Sequence, residues 1–149
     1  MRTVKRVSLT LAIAVACAIG PAADAAGGTL YERLGGEPGV AAIATSLIDR
    51  VAGDPVLGRS FKDTNLAHIK QHLAGQLCEL SGGPCHYDGD SMREVHAGHD
   101  ISEAEFYGMV DALTAILNER GVALADRNRL LRLLAPMKRD VVRVPADGR

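Results

Sequence analysis

Apolar residues recur at Val40, Ile43, Ala44, Leu47, Ile48 and Val51, the spacing of one face of a helix. Gly36 to Gly39, with Pro38 in the first turn, opens this helix, and Asp54-Pro55 closes it. A short connector carries the chain through Phe61 to Asn65, where a second stripe begins: Leu66, Ile69, Leu73, Leu77 and Leu80. Ser81-Gly82-Gly83-Pro84 stops it, because proline cannot continue the helical hydrogen-bond ladder. Cys85 to Ser91 is polar, breaks at Asp88-Gly89 and reads as a loop. Ser102 and Glu105 form a Ser-x-x-Glu capping box, and the helix behind it buries Phe106, Met109, Val110, Leu113, Ile116 and Leu117 before Gly121. Asp126 opens a last helix with Leu130, Leu133, Leu134, Met137 and Val141 on one side, kinked at Pro136. The chain has no strand-like alternation of useful length, no internal repeat and no low-complexity tract. The predicted fold class is all-α.

The first 25 residues stand apart. Arg2, Lys5 and Arg6 precede an apolar run from Leu9 to Gly20, and Ala23-Asp24-Ala25 follows as a small-x-small cleavage site, the layout of an export signal. A retained membrane anchor and lipoprotein-type processing at Cys17 are the alternatives; the run falls short of the roughly 20 apolar residues a span needs. Removing residues 1–25 from the 149 leaves 124, enough for one domain (26–149) around one core. Arg2, Lys5, Arg6 and Asp24 leave with the signal, so 17 basic and 18 acidic residues become 14 and 17. No Lys/Arg cluster tracks phosphates, which argues against nucleic acid, and the cleaved chain has no membrane partner. With no Trp and only two Phe, the core must come from aliphatic residues, and each Phe invites a functional question.

Several polar residues ask for partners. His96 ends a short amphipathic turn just ahead of the capped apolar helix, a placement that projects its ring between helices, as haem iron requires of an imidazole. With Ile69 as zero on a wheel of about 100° per residue, the second stripe spans 0° to roughly 80°, His72 falls near −60° and Gln76 near −20°. Both border the buried face one turn apart, while Lys70 and Gln71 lie on the far side. Each needs a hydrogen-bond partner or another function there; capping or bridging to neighbouring carbonyls is the plainer alternative. Cys78 and Cys85 bracket the glycine break and close a short disulfide loop in an oxidising compartment, with a pair of free thiols as the competing state. His68, His86 and His99 read as exposed. His96 and His99, three apart, have no third ligand that would make a convincing zinc site.

Leu30-Tyr31-Glu32-Arg33-Leu34-Gly35-Gly36, the Gly82-Gly83-Pro84 break, and Met92-Arg93-Glu94-Val95-His96 followed by Ile101-Ser102 and Phe106 together resemble the group I truncated haemoglobins. The resemblance runs from about residue 29 to 142. It implies a two-over-two helical sandwich around haem b (iron protoporphyrin IX), with His96 as the proximal iron ligand, Phe61 as the aromatic stacked on the porphyrin, and Met92 and Phe106 in the haem wall. Ile48, Ile69, Leu73 and Gln76 complete the candidate cofactor-binding set. Ile48 stands where members that hold oxygen tightly carry a tyrosine, and Leu73 where they often carry a glutamine. The resemblance then implies faster oxygen loss or easier autoxidation than in those members. His72 matches the position from which some cyanobacterial members supply a second axial imidazole; a noncoordinating hydrogen-bond donor is the alternative. Met137 replaces the histidine that tethers haem in those relatives, and c-type attachment at Cys85-His86 would need a cysteine where Gly82 stands. Arg93 and Lys70 are candidates for the haem propionates, with plain solvation as the alternative.

The expected function is therefore an exported haem b globin, in the bacterial periplasm, that reversibly binds oxygen, nitric oxide or carbon monoxide and draws electrons from an unidentified reductant. The alternatives are a nitric oxide dioxygenase, against which Ile48 argues modestly, and a periplasmic electron-transfer haem protein, which two axial imidazoles would suit.

Overall fold

A computed structural model describes residues 27–143; the expected export signal at residues 1–25 and the terminal residues 144–149 lie outside the described residues. Within them the fold is entirely helical. Helix α1 (Leu30–Arg33) starts at a capping box in which the Thr29 hydroxyl accepts from the Glu32 N–H and the Glu32 carboxylate accepts from the Thr29 N–H. Helix α2 (Gly36–Ala52) follows after one corner, which depends on glycine: Gly35 and Gly36 have φ of 98° and 64°. A Cβ on Gly39 would collide with the Leu34 carbonyl oxygen. The inner face of α2 buries Val40, Ile43, Ala44, Leu47, Ile48 and Val51, as its periodicity predicts.

A 3-10 turn (Leu57–Phe61) leads to α3 (Leu66–Leu80), capped by the Asn65 side chain accepting from the His68 N–H. At the far end Gly82 has φ 84°, its N–H donates to the Glu79 carbonyl, and the Gly83 N–H donates to the Cys78 carbonyl at 2.8 Å. This doubly bonded helix end satisfies carbonyls that would otherwise be orphaned. Helix α4 (Met92–Val95) is a single turn, and α5 (Glu103–Glu119) starts at the predicted Ser102/Glu105 box and buries Leu113, Ile116 and Leu117. Helix α2 packs chiefly on α3 and α5, and the sealed core joins its inner face to Leu30, Leu34, Leu77, Cys78, Leu113, Ile116, Leu117 and Leu130.

Three expectations change at the C-terminal end. Helix α6 (Leu124–Leu134) begins two residues before Asp126, whose carboxylate instead takes the Arg33 guanidinium of α1 at 2.8 Å. Of its predicted apolar stripe only Leu130 is sealed; Leu133 is exposed, because α6 meets α1 and α5 along a narrow margin. Pro136 breaks the helix rather than kinking it: a 3-10 turn (Ala135–Met137) intervenes before α7 (Lys138–Val141), since proline supplies no N–H to the ladder. No helix among the described residues is long and apolar enough to cross a membrane.

Candidate functional site

The second stripe is where burial departs from amphipathic expectation. Leu77 is sealed, but Leu66, Ile69, Leu73 and Leu80 are only half-buried. Phe61, Leu66, Ile69, Leu73 and Met109 rest on the core without being enclosed by it, and Met92 and Phe106 are half-buried as well. Apolar side chains from the 3-10 turn, α3, α4 and α5 are thus left partly uncovered by protein. Ile48, by contrast, is 1% exposed and belongs to the sealed interior of α2. Gln76 is buried on α3 beside Leu77.

His96 is placed by a device smaller than a helix. Helix α4 is four residues long and starts at a capping box: the Ser91 N–H donates to the Glu94 carboxylate at 2.9 Å, and the Glu94 N–H donates to the Ser91 hydroxyl. The Ser91 hydroxyl also donates to that carboxylate, and this bond first, with the one from the Ser91 N–H, holds the Glu94 carboxyl below its usual range. His96 follows as the C-terminal cap, its ring half-buried, with Nδ1 2.7 Å from the Met92 carbonyl oxygen. A carbonyl only accepts, so Nδ1 carries the hydrogen and Nε2 keeps its lone pair. Burial, the largest influence, pushes the His96 pKa down; the Met92 carbonyl opposes this and the charge of His99 adds to it. The net direction favours the neutral imidazole, whose lone pair then lies on Nε2.

The segment after His96 is held from the other side of the site. Arg59, in the same turn as Phe61, donates to the carbonyls of His99 and Asp100, each at 3.1 Å, and forks onto Glu105. That contact and two bonds from Ser102 push the Glu105 carboxyl down to about 2. His99 is consequently half-buried rather than exposed, because its backbone is drawn into this network.

On α3, His72 is half-buried and its Nε2 lies 2.9 Å from Nε2 of His68, one turn earlier. Tyr87 meets the His72 ring edge-on with centroids 6.2 Å apart. Gly89 permits this: a Cβ there would lie 2.5 Å from the Tyr87 hydroxyl and 2.8 Å from His72 Nδ1. The loop carrying both is tied to α3 by a disulfide between Cys78 and Cys85, with Cα atoms 5.8 Å apart. His68, although exposed, is therefore not free; its i, i+4 spacing from His72 is the sequence signal for the pair. Nothing local signals Tyr87 or Arg59. Lys70 pairs with Asp49 and Arg93 with Asp140, so both candidate propionate partners have carboxylates of their own.

These residues fit haem. A neutral imidazole with a fixed tautomer is the donor that haem iron takes, and the uncovered side chains of Phe61, Leu66, Ile69, Leu73 and Phe106 suit a flat apolar macrocycle. Met137 offers no tethering nitrogen.

The sequence profile of the Bacterial-like globin family matches residues 29–143. A group 1 truncated haemoglobin of Tetrahymena pyriformis is 32% identical over 114 residues, covering 76% of this chain and 94% of its own length. One from Nostoc sp. is 31% identical over 110 residues, covering 74% and 93%. Among solved structures, the Fe(III) form of truncated haemoglobin from Tetrahymena pyriformis superposes with a TM-score of 0.73 at 31% identity, covering 77% of this chain and 98% of that one. The 2/2 haemoglobin of Synechococcus sp., in the cyanomet state with covalently attached haem, gives 0.72 at 25% identity with the same coverage. Profile, relatives and superposition agree with the helical order: the chain belongs to the bacterial-like globin family, among the group 1 truncated haemoglobins, and has their two-over-two fold.

Proposed function

We propose that this chain is an exported haem b globin that reversibly binds oxygen or another diatomic gas, with His96 as the permanent axial ligand and His72 as a displaceable one in the resting state. The observation that carries the reading is the His96 imidazole, half-buried and neutral, with Nδ1 committed to the Met92 carbonyl and Nε2 left to coordinate. Bound haem supplies the iron centre at which oxygen, nitric oxide or carbon monoxide is held. The rest is the work of the chain. Phe61, Ile69, Leu73, Met92 and Phe106 offer apolar surface whose burial against a porphyrin favours binding by about 25 cal/mol per Å² and keeps water out. Ile48 and Leu73 have no hydrogen to donate to a ligand, which leaves Gln76 as the polar candidate for retaining the gas. The export pattern of residues 1–25 and the Cys78–Cys85 disulfide together support a periplasmic location.

An absorption spectrum of the purified full chain tests the proposal. A Soret band is expected, with a low-spin ferric form in the wild type that becomes high-spin in His72→Leu. His96→Ala is expected to lose the pigment; its retention at wild-type level would refute the assignment of His96. Rapid mixing of the oxygenated protein with nitric oxide is expected to yield nitrate slowly, and fast turnover would move the function to dioxygenation.

A further inference from the structure

The contact between His68 and His72 has a chemical consequence. Their Nε2 atoms are 2.9 Å apart and their ring centroids 4.2 Å apart, on one face of α3. An imidazole nitrogen has a single position in the ring plane, filled either by a hydrogen or by a lone pair. In the pair with His68, His72 Nε2 either donates the shared hydrogen or spends its lone pair accepting one. In both arrangements that position is used, and Nε2 cannot bind a metal at the same time. The other nitrogen of His72 offers no easy substitute, because Nδ1 faces Gly89 so closely that a single Cβ there would come within 2.8 Å of it. Tyr87 closes the same side of the ring, and the disulfide at Cys85 holds the loop that carries it.

We infer that His68 is a positioning residue that competes with haem iron for His72 Nε2, and so sets how often the iron is open to a gas. Whenever His72 leaves the iron, His68 captures it one helical turn away. The captured state is the one described above. This inference rests on the reading of His72 as a displaceable axial ligand. It makes His68 a promoter of gas binding although it never touches the gas. A net hydrogen bond of ordinary strength corresponds to a shift of about two- to tenfold in the ratio of open to closed iron.

The test uses the haem-loaded full chain as wild type, His68→Leu, His68→Gln and His72→Leu. Two quantities are read: the ferric low-spin fraction by absorption, and the rate of carbon monoxide association with the ferrous form. His68→Leu is expected to raise the low-spin fraction and to slow association by about two- to tenfold. Glutamine, whose amide bonds to the His72 ring in the same way, is expected to stay within about a factor of two of the wild type, because the bond is replaced. If His72→Leu alters both quantities while His68→Leu matches the wild type, the role of His68 is overturned and that of His72 stands. Equal shifts in His68→Leu and His68→Gln also overturn it, since a hydrogen bond would then not be the cause. If His72→Leu itself changes neither quantity, the axial assignment of His72 fails, and this inference with it.

Discussion

Replacing Cys85 by serine isolates the contribution of the disulfide. Cys85 is the right partner to change because it is exposed, whereas Cys78 is 1% exposed and a serine there would bury a hydroxyl in the core. The bridge spans a sequence separation of 7, which closes a loop of about eight residues; the chain-entropy relation then assigns it about 2.5 kcal/mol, acting on the unfolded chain. Native geometry is kept by other means, since the Gly82 and Gly83 N–H groups bond back to α3 whether or not the sulfurs are joined. At about 2.1 cal/mol/K per residue, the 117 residues from 27 to 143 have an unfolding entropy near 0.25 kcal/mol/K. A loss of about 2.5 kcal/mol therefore lowers the melting temperature by about 10 °C. The assay is thermal unfolding of the haem-loaded protein by circular dichroism, at fixed protein and haem concentration because bound ligand shifts the midpoint by mass action. A reductant should lower the wild-type midpoint by the same amount and leave Cys85→Ser unmoved. A fall of less than about 2 °C, or an equal response of both proteins to reductant, would refute the reasoning.

Three further outcomes follow from the same geometry. Ile48→Tyr adds a hydroxyl on α2 where the fold has only a sealed aliphatic side chain; if it reaches a bound gas, one hydrogen bond of about 1.4 kcal/mol slows oxygen dissociation about tenfold, at an overpacking penalty of about 1–3 kcal/mol. Stopped-flow dissociation reads the first effect, and an unchanged rate would show that position 48 does not face the ligand. Gly89→Ala must displace Tyr87 or the His72 ring, so the ferric low-spin fraction should change, and an identical spectrum would mean that the loop gives way instead. Glu105, held at about 2 against an ordinary 4.5, is depressed in the fold. Its stabilising effect is present above pH 4.5 and fades as pH falls toward 2. The gap in urea midpoint between wild type and Glu105→Gln should accordingly narrow from pH 5 to pH 3, and a constant gap would exclude the charged carboxylate as its source.

Helices α2, α3 and α5 were legible because each combines a long apolar stripe with a chemical start or stop signal, the capping box at Ser102 being the clearest. Helices α1 and α4 are four residues each, too short for any periodicity, yet both begin at a Ser/Thr-x-x-Glu box that a search for caps alone would find. The half-burial of Leu66, Ile69 and Leu73 was not legible: an apolar stripe looks the same whether protein or a cofactor covers it. His96 and His72 stand out because a polar ring beside an apolar helix needs a partner. The identity of that partner depends on the local backbone path, as with the Met92 carbonyl one turn earlier, or on one rotamer choice, as with His68. Arg59 reaches Glu105 and two carbonyls more than 35 residues further along the chain, a contact that only the tertiary fold creates.

Arg59 also constrains where motion can occur. It clamps the turn bearing Phe61 to the segment after His96, so the floor of the haem site and its fixed imidazole form a single stiff bracket. Shifting one without the other would break polar contacts to three residues at once. On the proposal made for His72, traffic of small gases is then governed by that imidazole turning between two neighbours while the bracket stays still.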